Sequence, residues 1–134
     1  YFLQFTYMSN VKKTILLVED DQFLSSLLKN RLTKDNFDIL AAKNSDEAVS
    51  LLETNNPDLI IMDIILPGRS GFEAIEAISA LPRASRVPII ILSNLGQESD
   101  VARGKQLGVV DYFVKAETSI DDLITKIKSF LKII

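Results

Sequence analysis

The sequence predicts an α/β fold, a doubly wound five-stranded parallel sheet with five helices, and three observations carry that prediction. The first is Leu59-Ile60-Ile61-Met62-Asp63, where four large apolar residues follow the breaker Pro57-Asp58 and precede Leu66-Pro67-Gly68. A short strand that is apolar on both sides belongs in the middle of a parallel sheet. The second is that Thr14-Ile15-Leu16-Leu17-Val18 and Val87-Pro88-Ile89-Ile90-Ile91-Leu92 are just as uniformly apolar. The third is alternation: five apolar runs are each followed by a segment of helical spacing. Right-handed crossovers then set the carboxyl end of every strand on one rim.

In chain order, the strand at residues 14–18 ends in Glu19-Asp20-Asp21, and Phe23, Leu24, Leu27, Leu28 and Leu32 then form one apolar stripe on a helix from Gln22. The acids are expected in the first turn of that helix, where its dipole favours them. Lys34-Asp35-Asn36 breaks it, and Phe37 to Ala42 reads as a more polar strand near a sheet edge. Asn44 and Glu47 have capping-box spacing for a helix buried through Ala48, Leu51 and Leu52. After the strand ending at Asp63, Ser70 and Glu73 repeat that spacing and open a helix buried through Phe72, Ile75 and Ile78, closed by Pro82. The strand at residues 87–92 ends in Ser93-Asn94. The next segment, Glu98 to Leu107, has a poor apolar stripe and an internal Gly104, so a weakly packed helix is expected there. Gly108 suits a helix C-cap, Val109 to Val114 is the fifth strand, and Lys115 ends it. Thr118 or Ser119 caps a last helix with Ile120, Leu123, Ile124, Ile127, Phe130 and Leu131 in helical phase.

Composition narrows the chemistry. With 134 residues, 47% of them hydrophobic, the chain suits one domain with a real core. It has no cysteine and no histidine, which excludes disulfides, thiolate catalysis, a Ser/His/Asp triad and a histidine metal site. A net charge of −3 with scattered Lys and Arg lacks the footprint of a nucleic-acid binder. Tyr1-Phe2-Leu3-Gln4-Phe5-Thr6-Tyr7 is too short to span a bilayer and lacks the basic region and cleavage site of a signal peptide. Met8, followed by a short polar stretch and a strand, is the expected natural start. Residues 1–7 are then a leader or extension and residues 8–134 the domain.

Ligands of open parallel sheets bind beyond the carboxyl ends of the strands, and there the sequence places Glu19 and Asp20, Asp63, Ser93 and Lys115. Carboxylates gathered this closely repel one another unless a cation neutralises them, and a hard cation with oxygen ligands, Mg²⁺, is expected. Each residue has a plainer reading when taken alone. Asp63 and Ser93 are equally consistent with turn caps, Lys115 with a solvated charge, and Glu19-Asp20 with a helix N-terminal acid pair. Their coincidence on one rim is what points to a site.

The set Ile15-Leu16-Leu17-Val18-Glu19-Asp20-Asp21, Leu59 to Asp63 with Pro67-Gly68 and Gly71, the Ser93 strand end, and Asp111-Tyr112-Phe113-Val114-Lys115 resembles the receiver domain of two-component response regulators, from Lys12 to about Lys132. The resemblance implies a flavodoxin-like sheet of order 2-1-3-4-5 and a phosphorylation-dependent signalling switch rather than an enzyme. Asp63 resembles the phosphoacceptor, taking a phosphoryl group from the phosphohistidine of a histidine kinase or histidine phosphotransfer protein. Asp20 resembles the direct Mg²⁺ ligand and Glu19 the ligand acting through water, with Asp63 and the backbone carbonyl of Ile65 completing the metal site. Lys115 resembles the lysine that pairs with the phosphoryl group, Ser93 the hydroxyl that swings toward it, and Tyr112 the aromatic whose rotamer follows. The family further implies a cytoplasmic protein acting on a downstream effector or an attached output domain; with charge this scattered, no direct nucleic-acid contact is expected of the domain itself, and no membrane contact. A homodimer through the Glu98–Leu107 helix and the last helix stays open.

Two departures stand out. Proline with a cis bond usually follows the lysine, and here Ala116 does; a cis bond before a non-proline residue costs about 2.5–4 kcal/mol, which favours a trans peptide and a rerouted loop. Ile65 and Leu95 are apolar where polar residues often flank the phosphate, and they are expected to limit water and slow dephosphorylation. Two rivals are weighed beside the switch. A small Mg²⁺-dependent phosphatase would need a second acid where Ile65 sits. A receiver-like binding module that works without phosphorylation would not need the acid set.

Overall fold

The computed structural model describes residues 12–131 and contains five strands joined by helices. The strands are β1 (Thr14–Val18), β2 (Asp38–Ala42), β3 (Leu59–Met62), β4 (Ile89–Ser93) and β5 (Asp111–Val114). The helices are α1 (Gln22–Lys34), α2 (Ser45–Thr54), α3 (Gly71–Ser79), α4 (Glu98–Gln106) and α5 (Ile120–Phe130), with a 3-10 turn at Lys115–Glu117. All neighbouring strands pair in parallel, in the order β2-β1-β3-β4-β5. The doubly wound architecture and order expected from the sequence are both present.

Alternation along the strands divides the core in two. Leu16, Val18, Ile60, Met62 and Ile91 face Ala48 and Leu52 of α2 and Phe72, Ile75 and Ile78 of α3. Ile15, Leu17, Leu59, Ile61, Ile90 and Leu92 face Leu28 and Leu32 of α1 and Leu123, Ile124 and Ile127 of α5. Each of these side chains is almost fully out of water, and burial of the large ones contributes roughly 1.5–3 kcal/mol apiece before the entropy of ordering. One register row, Val18–Met62–Ile91–Tyr112, runs level across four strands. It fixes how far each chemistry-bearing residue stands past the sheet.

Several expectations change in detail. The stripe on α1 is narrower than its apolar residues suggest: Leu28 and Leu32 are buried, whereas Phe23 is 81% and Leu27 43% exposed. Sheet contact covers only part of a helix's circumference, and these two residues lie outside that arc. The first turn of α1 holds no acid; Asp21 is instead its N-cap, accepting from the Phe23 and Leu24 N–H groups at 3.0 and 3.2 Å. Strand β2 is an edge strand and begins at Asp38, with Phe37 buried just ahead of it. Strand β4 starts after Pro88, which has no N–H to give the ladder, and takes in Ser93 as its last residue. Strand β5 starts at Asp111 and leaves Val110 exposed. The caps at Asn44, Ser70 and Ser119 fall where the spacing placed them. Residues 1–7, read as a leader, lie outside the described residues.

Candidate functional site

The ladder itself carries the acids to the rim. Glu19 N–H donates to the Ala42 carbonyl and Asp63 N–H to the Val18 carbonyl, each at 3.0 Å, so the backbone keeps strand geometry for one residue past β1 and β3. Both side chains are buried, with 2% of Glu19 and 4% of Asp63 exposed. Asp20, the next residue, is exposed. Carboxylate oxygens of Glu19, Asp20 and Asp63 lie within 4.8 Å of one another.

Lys115 bridges the two buried acids. Its Nζ lies 2.8 Å from Glu19 Oε1 and 2.8 Å from Asp63 Oδ2, and its side chain is only 17% exposed. No peptide bond among the described residues is cis, so the Lys115–Ala116 bond is trans and the chain turns into the 3-10 segment instead. Thr118 Oγ1 donates to the Val114 carbonyl at 2.9 Å and helps close that turn. The ammonium reaches both acids by this route without a proline.

The charges do not balance. Burial, with a smaller push from the Asp63 charge, outweighs the hydrogen bonds from Lys115 and the Asp21 N–H and the Lys115 charge, and leaves the Glu19 carboxyl raised to about 7. Burial pulls the Lys115 ammonium down, but its hydrogen bonds to Asp63 and Glu19 and their charges outweigh that and hold it above the usual lysine value. Three carboxylates against one ammonium make an oxygen-only donor set with excess negative charge, which fits a hard divalent cation such as Mg²⁺. The remaining oxygens are placed by backbone: Asp63 Oδ1 accepts from Ile65 N–H at 3.2 Å and Glu19 Oε2 from Asp21 N–H at 3.1 Å. Ile65, whose carbonyl the resemblance counted as a metal ligand, is in the loop directly after Asp63 with 53% of its surface exposed.

Ser93 and Tyr112 meet through a backbone group that sequence reasoning had read only as an apolar position. Ser93 is fully buried, and its Oγ accepts from Leu95 N–H at 3.3 Å. The Tyr112 hydroxyl donates to the Leu95 carbonyl, and its ring is half-buried at the rim of the core beneath α4. Leu95 thus links the two by its peptide groups. A second contribution is Gly71: a Cβ there would stand 2.2 Å from the Asp63 carbonyl oxygen, and its N–H donates to the Ile64 carbonyl at 2.8 Å. Only glycine lets α3 press against the strand end that carries Asp63. Its place beside the capping Ser70 and its membership of the set that carries the receiver resemblance were the signals in the sequence.

Residues 15–128 match the family model described as the response regulator receiver domain. The phosphate regulon transcriptional regulatory protein PhoB of Rhizobium meliloti (strain 1021) is 38% identical over 118 residues, covering 88% of this chain and 52% of the relative. The chain spans about half the length of the curated relatives it matches. Among solved structures, the BeF3-activated N-terminal receiver domain of Klebsiella pneumoniae RstA superposes with a TM-score of 0.81 at 26% identity, covering 90% of this chain and 99% of that one. The Mn(2+)-bound form of response regulator Rcp1 does so with a TM-score of 0.78 at 28% identity, covering 89% and 94%.

Proposed function

We propose, from the premise that this chain belongs to the response regulator receiver domain family, that it is a switch which accepts a phosphoryl group on Asp63 from a phosphohistidine donor. The observation that carries the reading is a nearly buried Asp63 carboxylate held at 2.8 Å by a lysine that also holds Glu19. In the transfer, an Asp63 oxygen forms the new O–P bond as the donor's N–P bond breaks, and the electron pair of that bond leaves on the imidazole nitrogen. Lys115 stays protonated and offsets charge on the phosphoryl oxygens. Glu19, Asp20, Asp63 and the Ile65 carbonyl would hold Mg²⁺, which supplies further neutralisation when bound.

Phosphorylation adds charge and acceptor oxygens, and only contacts that differ between the two forms shift a conformational equilibrium. Ser93 supplies one such contact. Its oxygen accepts from Leu95 while its own proton stays available to a phosphoryl oxygen. Rotation toward the phosphoryl group disturbs the Leu95 peptide, which Tyr112 grips from the other side, so the change reaches α4 and β5. Donor and readers are a histidine kinase or phosphotransfer protein on one side and an effector or output domain on the other, in the cytoplasm. Among the described residues no helix is long and apolar enough to cross a membrane.

The test is intact-mass spectrometry after incubation with Mg²⁺ and acetyl phosphate, beside Asp63→Ala. One added phosphoryl group, lost in the variant and without Mg²⁺, is the expected result. No adduct together with no fluoroberyllate complex would refute the reading in favour of a binding module that works without phosphorylation.

A further inference from the structure

Helix α4 is the loosest element over the site, and its one buried residue is Gly104. Glycine inside a helix costs stability relative to alanine, and Gly104 does not have the positive φ found at Gly68 and Gly108. Backbone freedom therefore does not account for it. Space does. A Cβ built on Gly104 would stand 3.0 Å from Ile91 Cδ1, 3.1 Å from Tyr112 Cδ2 and 3.5 Å from Tyr112 Cε2. Carbon atoms pack best at about 3.5–4.0 Å, so a methyl group there would make Ile91 and the Tyr112 ring give way by a few tenths of an ångström. The other side of α4 is held more lightly, by the Arg103 guanidinium 4.5 Å above the Phe72 ring and 4.0 Å from Glu76.

We propose that Gly104 is a positioning residue for the switch: the missing side chain forms a notch on α4 into which the Tyr112 ring closes while its hydroxyl holds the Leu95 carbonyl. The inference rests on the phosphorylation reading above and adds the element that sets the position of Tyr112. When Ser93 turns to a phosphoryl oxygen, Tyr112 is left as the side chain gripping Leu95, so the closed notch supports the loop in the phosphorylated form. Filling the notch unseats the ring and weakens that form. The phenol is also pushed above its usual pKa, by burial first and then by the Asp100 and Asp63 charges, as expected of a ring drawn in from solvent.

The experiment uses the whole chain labelled with 3-fluorotyrosine. Its three tyrosines give three fluorine resonances, and the one lost in Tyr112→Phe is assigned to Tyr112. Gly104→Ala is expected to move that resonance toward the solvent-exposed position and to weaken Mg²⁺-dependent fluoroberyllate binding threefold or more. In a Tyr112→Ala background the same substitution is expected to leave fluoroberyllate affinity unchanged. An unmoved resonance in Gly104→Ala, unchanged or tighter binding, or an equal loss in the Tyr112→Ala background would overturn the proposal, the last because the effect would then run through Ile91. If the parent chain takes no phosphoryl group from acetyl phosphate and binds no fluoroberyllate, yet the resonance still moves, the notch stands and the phosphorylation reading falls.

Discussion

Substituting Glu19 by glutamine is expected to stabilise the metal-free protein at neutral and alkaline pH while removing a residue proposed to bind the metal. Burial raises this carboxyl from 4.5 to about 7, so the folded state favours its protonated form. Between those two values the folded chain binds more protons than the unfolded chain, and stability therefore falls as pH rises through the window. Above it the full penalty of a buried charge applies. At 1.36 kcal/mol per pK unit the shift corresponds to a ceiling of about 3 kcal/mol. That shift is already net of the Lys115 hydrogen bond and charge, so the expected gain is at most about 3 kcal/mol. The Lys115 ammonium stays charged throughout this range, because its raised pKa brings its own loss of stability only as pH climbs above the usual lysine value.

Urea unfolding with a chelator, from about pH 5 to about pH 8, reads the difference directly. Parent and Glu19→Gln should coincide at the acid end and separate steadily upward, and saturating Mg²⁺ should stabilise the parent far more than the variant. Parallel pH profiles would refute the claim that Glu19 carries the uncompensated charge.

Lys115→Met leaves Glu19 and Asp63 buried without their cation; a loss of about 3–5 kcal/mol is expected at neutral pH, smaller in acid, measured by the same unfolding curves. Gly71→Ala forces a methyl against the Asp63 carbonyl and should cost about 1–3 kcal/mol and slow phosphorylation from acetyl phosphate, whereas alanine at Gly68 meets no neighbouring atom and is strained only by its positive φ. Ile65→Asn, at an exposed apolar position beside Asp63, should shorten the lifetime of the phosphorylated form followed by mass spectrometry; an equal or longer lifetime would remove the role given to that side chain.

Much of this fold could be read along the chain because its signals are local. Uniformly apolar β1, β3 and β4 mark strands covered on both faces, and the caps at Asn44, Ser70 and Ser119 start three helices where a hydroxyl or amide can take an orphan N–H. The rim set was legible for a related reason: strand ends can be located in sequence, and a doubly wound sheet sends them all to one side. Phe23 and Leu27 were misjudged because helical phase records which residues share a face and says nothing of how wide the covering surface is. Gly104 was read as a weakness in α4, whereas in the fold it is the helix's point of closest approach to Tyr112 and Ile91.

By itself, then, the sequence determined the class of fold, the order of its elements and the types of residue at the strand ends, since these depend on periodicity, capping and chain direction. Tertiary structure alone decided that Lys115 reaches across 52 positions to Asp63 and also to Glu19, that a trans peptide after the lysine permits this, and that Leu95 joins Ser93 to Tyr112 through its backbone. Those relations depend on strand order and on register to within one residue. A one-residue slip would turn the side chains of a strand to the opposite face, and no local signal reports it.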